Sequence, residues 1–195
     1  MKHIDLKPYA ATIAAVAAAT GISVSVLTQT TSDAMVSEGE SLAAYADPAR
    51  PDLATICFGE TKGVKFGDKA THDECVKRLI SRMPDYILPV MRLMPGLPAG
   101  RLMAYSDTAY NGGVGILTRR ATRCAKANAS GQCIKSVEMP GTSIVDMELA
   151  GYWQGACARL LVFTAGSGKH FNGLIARREK AFKTCMGEFD GQQAK

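Results

Sequence analysis

SEGESLAAYADPARPDLATICFGET, residues 37–61, is the stretch that decides how this chain folds. It sets Glu38 beside a glycine, Asp47 nine residues on, and Thr55 at the mouth of a short alternating run, ATICFG. Carboxylates ordinarily decorate solvated faces, so these gain meaning only from the elements around them. Ser32 can cap a helix in which Met35, Leu42 and Tyr45 recur at helical spacing, ending at the Asp47-Pro48 turn and carrying Glu38. ATICFG, between a proline-rich loop and Gly59, Gly63 and Gly67, predicts a small antiparallel sheet with tight turns. Asp47 and Thr55 flank the entry to that sheet.

Downstream, Thr71 and Glu74 form a capping-box pattern that opens a helix with Cys75, Leu79 and Met83 on one face, stopped by Pro84. Beyond it the pattern predicts only helices, over 85–94, 99–111, 116–129, 146–163 and 174–186, with a loop insertion at 130–146. The expected architecture is α+β: a small lobe with a short antiparallel sheet, a larger helical lobe, and Glu38 and Asp47 where the lobes join.

The 195 residues, 47% hydrophobic and 21% charged, suit one folded domain with an appendage and exclude both a disordered chain and a polytopic membrane protein. The net charge of +5 hides an asymmetry, because residues 1–40 hold Lys2 and Lys7 against Asp5, Asp33, Glu38 and Glu40. The remainder is strongly basic, which suits a polyanion, either nucleic acid or an anionic cell wall. No zinc-ligand spacing, RNA-binding aromatic signature or P-loop supports nucleic acid.

Cysteines at 57, 75, 124, 133, 157 and 185 are an even set that can close three disulfides in an oxidising compartment. They permit more pairings than sequence can choose among; topology favours Cys57–Cys75, Cys124–Cys133 and Cys157–Cys185.

From Pro8 to Ser32 there is no charged residue. The part over about residues 9–27 is helix-capable and close to the roughly 20 residues that span a bilayer. Its strong apolar residues are only Ile13, Val16, Ile22, Val24, Val26 and Leu27, worth about −2 to −4 kcal/mol of insertion before the polar residues subtract. Insertion is marginal and therefore reversible. Lysines before the segment and acids after it leave the N-terminus cytoplasmic and send the body across. Residues 1–32 thus read as a signal-anchor and 33–195 as the exported folded domain, against two rivals: a cleaved signal peptide and an Ala-rich core helix.

EGESLAAYAD…TICFGETKGVKFGD…C, followed by DTAYNGGVG and FTAGSGKHFNGLIARREKAFKTC, resembles the phage-type lysozymes, the muramidases of glycoside hydrolase family 24, over most of residues 35–186. The Ala-rich N-terminus resembles the signal-anchor-release endolysins of that family. The resemblance implies a lysozyme-like fold, Glu38 as catalytic acid, Asp47 as second carboxylate and Thr55 as the hydroxyl that helps hold a water. It implies hydrolysis of the β-1,4 bond between N-acetylmuramic acid and N-acetylglucosamine in peptidoglycan, ending in host lysis and phage release. Its implied partners are glycan strands, the host secretion machinery and the inner membrane, where the chain is held N-in, C-out before release to the periplasm. The chain departs from the family in placing Thr55 eight residues after Asp47 rather than six and in lacking the customary glycine after the aspartate, so Asp52 is a rival second carboxylate.

Such hydrolysis needs one protonated and one ionised carboxyl. Desolvation of Glu38 would raise its pKa while Asp47 stays wet; an inverting pair would stand roughly 6.5–9.5 Å apart. No metal, cofactor or nucleic acid is required, and the expected state is a monomer. Arg177, Arg178 and Glu179 read as buttresses of the last helix, Trp153 as core or lobe interface, and Asn111 with its neighbouring glycines as a helix stop and turn. Two alternative functions are a lytic transglycosylase and a non-catalytic, membrane-anchored peptidoglycan-binding protein.

Overall fold

A computed structural model of the chain describes residues 4–47, 50–127, 133–166, 169–170 and 172–188, without the side chains of residues 123, 124, 127, 133, 134, 165, 166, 169 and 170. The chain divides into two compact units, Met1–Leu88 and Pro89–Lys195.

The first unit begins with a 3₁₀ turn, Lys7–Tyr9, that leads into α1 (Ala10–Thr20). The helix predicted over residues 9–27 is broken. Gly21 closes α1 at φ 71°, donating its N–H to the Ala17 carbonyl at 2.9 Å. Ser23 then caps α2 (Val24–Glu38), its hydroxyl accepting from the Val26 N–H at 3.3 Å. The two segments are bent by 120°, and among the described residues no single helix is long and apolar enough to cross a membrane. Ile13, Ala17, Ile22, Val26 and Leu27 are buried, with α1 packed against α2 and α3. In this structure α1 and α2 are thus packed within the first unit.

Ser32 lies inside α2, and Glu38 is its last residue. Leu42 and Tyr45, predicted on the same helix as Met35, instead lie on strand β1 (Ser41–Ala46). Gly39, at φ 70°, ends the helix in a conformation that favours glycine. β1 then finds backbone partners on both edges. On one side it pairs with β2 (Ala54–Cys57), Tyr45 opposite Thr55 and Ala46 opposite Ala54. On the other, Ala44 N–H donates to Asp68 O and Ala70 N–H to Leu42 O, each at 2.9 Å. The i, i+3 spacing of Leu42 and Tyr45 fits a helix equally well, but those long-range bonds are available only to an extended chain.

α3 (His72–Arg82) starts with the predicted capping box: the Thr71 hydroxyl accepts from Glu74 N–H and the Glu74 carboxylate from Thr71 N–H. Cys75, Val76, Leu79 and Ile80 form its buried face, and the predicted Cys57–Cys75 disulfide ties it to β2. α4 (Pro84–Leu93) follows, and the boundary between the units falls within it.

The second unit centres on α5 (Ala99–Gly112), which packs along α9 (Asn172–Cys185). The helix predicted over 116–129 is only α6 (Gly115–Thr118). Arg119 turns the backbone extended (φ −69°, ψ 118°), and β3 (Thr122–Ala127) pairs antiparallel with β4 (Cys133–Glu138), so the region after α4 is not purely helical. The helix predicted over 146–163 is divided into α7 (Ile144–Leu149), α8 (Trp153–Arg159) and a 3₁₀ turn, Leu160–Val162. Gly151, at φ 78°, makes the break. β5 (Ala165–Gly166) and β6 (Lys169–His170) pair ahead of α9. Cys157–Cys185 joins α8 to α9 as expected; the predicted Cys124–Cys133 link lies outside the described side chains.

Candidate active site

Glu38, Asp47 and Thr55 all belong to the first unit. Glu38 stands exposed at the C-terminal end of α2, not buried as desolvation would require. The residue pair that follows fixes its exit path: Gly39 turns the chain, and Glu40 Oε1 lies 2.8 Å from His72 Nδ1 on the first turn of α3. That contact accounts for one of the three histidines. His3 and the side chain of His170 lie outside the described set.

Asp47 directly follows β1 and organises the loop to β2. Its N–H donates to Leu53 O at 3.0 Å, while Arg50 N–H donates both to Asp47 O at 3.1 Å and to Asp47 Oδ1 at 3.0 Å. Leu53 N–H closes the loop on Arg50 O at 2.9 Å. The lengthened Asp47-to-Thr55 interval is therefore absorbed by a hydrogen-bonded turn, and Thr55 still sits across the ladder from Tyr45. Asp52 is exposed on that turn.

Thr55 is 2% exposed, and its Oγ1 has no hydrogen-bond partner among the described residues. A buried hydroxyl without a partner bears a desolvation cost that a purely structural position would avoid. Its backbone is held rigidly nonetheless. Two residues on, Cys57 adopts φ 60° and is bonded to Cys75. Ile56 and Glu60 exchange backbone hydrogen bonds at 2.9 Å around a tight turn. Glu60 accepts from Thr61 N–H, Lys62 N–H and Arg82 Nε, at 2.9, 2.7 and 2.9 Å, which ties this turn to the end of α3.

Tyr45 is the member of the constellation that sequence reasoning missed. Burial, then the negative charge of Asp47, then that of Glu38 push its phenol above its ordinary pKa. One hydroxyl thus lies in the field of both carboxylates. The AYAD context, which puts Tyr45 two residues before Asp47, was the available signal; it points that way only if residues 41–46 are read as a strand that ends beside Asp47.

In the second unit the conspicuous residues are structural supports. Arg177 forks onto Asp107, with Nε 3.2 Å from both carboxylate oxygens and Nη2 2.9 Å from Oδ1. The fully buried Arg178 donates to Phe163 O at 3.2 Å, Thr108 Oγ1 at 3.3 Å and Asn111 Oδ1 at 2.7 Å. A Cβ at Gly112 would meet the end of the Ile116 side chain, Cδ1, at 2.9 Å. Trp153 is half-buried under Arg101, whose guanidinium lies 5.1 Å from the ring centroid.

The arrangement matches known proteins. The family model described as phage lysozyme matches residues 35–140, which include all three candidates. Among curated protein sequences none matches the chain. Among solved structures, the active form of the P1 phage endolysin Lyz is 22% identical, with 94% of this chain and 97% of that chain covered at a TM-score of 0.66. The endolysin from Escherichia coli O157:H7 phage FAHEc1 is 19% identical, over 86% and 94%, at 0.61. The muramidase domain of SpmX from Asticaccaulis excentricus is 15% identical, over 81% and 95%, at 0.63. These likenesses establish a lysozyme-like fold, and the family match, over more than half of the sequence, establishes that the chain belongs to the phage lysozyme family and is a glycosidase of the muramidase type.

Proposed function

We propose that the chain is an endolysin that hydrolyses the β-1,4 bond between N-acetylmuramic acid and N-acetylglucosamine, with Glu38 as proton donor, Asp47 as the ionised carboxylate and Thr55 as the water-holding hydroxyl. The observation that carries this reading is the buried Thr55 hydroxyl, without a hydrogen-bond partner among the described residues, on a backbone position paired with Tyr45, whose phenol is pushed up by burial and then by the charges of Asp47 and Glu38.

In the proposed reaction Glu38 protonates the departing glycosidic oxygen. Asp47 accepts a proton from a water whose oxygen bonds to the anomeric carbon, and Thr55 Oγ1 orients that water, giving inversion. Glu38 is exposed, so in this proposal the water-excluding cover over it comes from the glycan that settles on it. Asp47 is held differently: the Arg50 N–H hydrogen bond to Oδ1 fixes the orientation of its carboxylate.

The N-terminal residues add a proposed route to the wall. In a membrane-held form, residues 9–27 insert as an uncleaved anchor with the N-terminus cytoplasmic, after export by the host machinery. On loss of the membrane potential the weakly apolar segment leaves, and the chain acts in the periplasm as a monomer to lyse the host. The packed structure supports this order. Val26 and Leu27, which anchor residues would carry into lipid, are buried on the helix that ends at Glu38, so extracting the segment and completing α2 are one event. Thr20→Leu with Gly21→Leu favours insertion and strains the φ 71° turn. Unchanged release and lysis timing in this variant would remove the anchor model.

The catalytic proposal is tested with exported wild type and Glu38→Gln, with mass spectrometry of released muropeptides. Hydrolysis yields reducing N-acetylmuramic acid ends and is lost in Glu38→Gln. Anhydro-muramic ends would instead establish a lytic transglycosylase, and undiminished wall cleavage by Glu38→Gln would remove the assignment.

A further inference from the structure

Among the described side chains, five arginines are half-buried or buried: Arg82, Arg101, Arg159, Arg177 and Arg178. Four of them have an oxygen partner. Arg82 Nε meets Glu60 at 2.9 Å, Arg101 Nε meets Glu148 at 2.8 Å, Arg177 Nη2 meets Asp107 at 2.9 Å, and Arg178 donates to three oxygens. Arg159 is the exception. Its Nε is buried without a hydrogen-bond partner, and among the described residues no carboxylate or carbonyl meets its guanidinium. A cation drawn partly out of water ordinarily keeps such a partner.

The surroundings of this guanidinium are fixed. Arg159 is the last residue of α8, and its guanidinium carbon lies 5.3 Å from the centroid of the Phe163 ring. Phe163 is buried; its N–H donates to Leu160 O at 3.2 Å and its carbonyl accepts from Arg178 Nε at 3.2 Å. Two residues before Arg159, Cys157 is bonded to Cys185 on α9. A basic residue at a helix end is ordinarily used on the last carbonyls. Here Leu160 N–H takes the Cys157 and Ala158 carbonyls and Phe163 N–H the Leu160 carbonyl, and Arg159 takes none. Of its three nitrogens Nε alone is buried, which leaves the outer edge of the fork open to solvent.

We propose that Arg159, seated on Phe163, is a carboxylate-binding site for short peptides, and that the peptide portion of peptidoglycan supplies the carboxylate. The choice of polymer rests on the proposed function; the carboxylate site does not. A guanidinium fork takes a carboxylate through two parallel hydrogen bonds. Leu161 and Val162, on the 3₁₀ turn that joins Arg159 to Phe163, are exposed. They suit the small aliphatic groups beside a peptide carboxylate, whereas a phosphate would satisfy the fork and leave that turn uncovered. Binding needs little ordering, because the ring and the helix end are already held. Arg159 moves no proton; it acts on substrate affinity, which appears in apparent KM and not in kcat.

The test uses the full chain, as wild type and as Arg159→Met, which keeps an unbranched apolar stem and removes the fork. The probes are N-acetyl-alanyl-alanine and the same dipeptide with its carboxyl converted to an amide, followed by the NMR signals of the arginine Nε–H groups. The acid moves the Arg159 signal saturably, the amide does not, and Arg159→Met weakens binding of the acid about tenfold, the scale of one bidentate contact. Equal binding of acid and amide would overturn the proposal, as would wild-type affinity in Arg159→Met. Tighter binding of inorganic phosphate than of the dipeptide would overturn it in favour of a phosphate site. For the source of the carboxylate, both chains carry Glu38→Gln and are sedimented with purified sacculi at low salt. Arg159→Met lowers the bound fraction, and sacculi with amidated carboxyls bind both chains alike. An unchanged bound fraction beside intact dipeptide binding would overturn the wall as the source. If Arg159→Met does not fold, acid against amide and ordinary against amidated sacculi decide with the parent chains alone. Dipeptide binding through Arg159 by a wild-type chain that cleaves no glycan would support the carboxylate site while refuting the proposed function.

Discussion

Thr55→Val separates a structural hydroxyl from a catalytic one. Thr55 is 2% exposed, and its Oγ1 has no partner among the described residues. A buried, unsatisfied polar group costs about 1–3 kcal/mol. Valine keeps the β-branched shape and suits strand β2. The substitution is therefore expected to stabilise the protein by about 1 kcal/mol, which raises the melting temperature by about 2–4 °C for a chain of this size. Over the same change the rate of sacculus hydrolysis should fall by about 100-fold or more, the scale of a positioned proton-transfer or water-orienting group. Thr55→Ser is the control: it keeps the hydroxyl, retains most of the rate, and loses about 1 kcal/mol for the missing methyl. Differential scanning calorimetry and a turbidity assay on purified sacculi measure the two effects. A melting temperature that falls in the valine variant would show that the hydroxyl has a stabilising partner. A raised melting temperature with activity within a few-fold of wild type would show that the hydroxyl is idle, and either result refutes the reasoning.

Asp47→Asn preserves the acceptor that Arg50 N–H uses, so the loop should stay folded while hydrolysis falls about 100-fold or more. Asp52→Asn, on the exposed turn, should stay within about twofold of wild type in the same assay. Removing the Cys57–Cys75 disulfide, which spans a sequence separation of 18, should cost about 3 kcal/mol in urea unfolding under the chain-entropy account. Asp107→Asn removes the carboxylate that the Arg177 guanidinium, only 8% exposed, forks onto, and should destabilise the protein by the same measurement. The Asp146 carboxyl is lowered to about 2 by hydrogen bonds from Arg120 first and from Ser143 next. Its stabilisation is therefore present above its ordinary value near 3.8 and is lost as pH falls through about 2. Thermal melts should show wild type above Asp146→Asn at pH 5, with the gap closing towards pH 2; a constant gap would contradict the linkage.

Several local features could be read in the sequence because their causes lie within a few residues. The capping box at Thr71 and Glu74 starts α3 where expected. Pairing Cys57 with Cys75 and Cys157 with Cys185 required only that neighbouring elements be adjacent. The spacing of Glu38, Asp47 and Thr55 suggested them as candidates, and hydrogen bonds among Asp47, Arg50 and Leu53 accommodate the longer interval between Asp47 and Thr55.

Other features needed partners far away in the chain. Leu42 and Tyr45 have the spacing of a helix, yet they lie on a strand because β2 and residues 68–70 supply hydrogen bonds to both its edges. The influence of Asp47 and Glu38 on the Tyr45 phenol was therefore unforeseen. The apolar N-terminal stretch has the length of a membrane span, but its break at Gly21 and Ser23 places Val26 and Leu27 in the first unit, where burial substitutes for lipid. Sequence determined which side chains and turns were available; tertiary structure decided which backbone groups met and which apolar faces were covered, because those free energies arise only when distant segments come together.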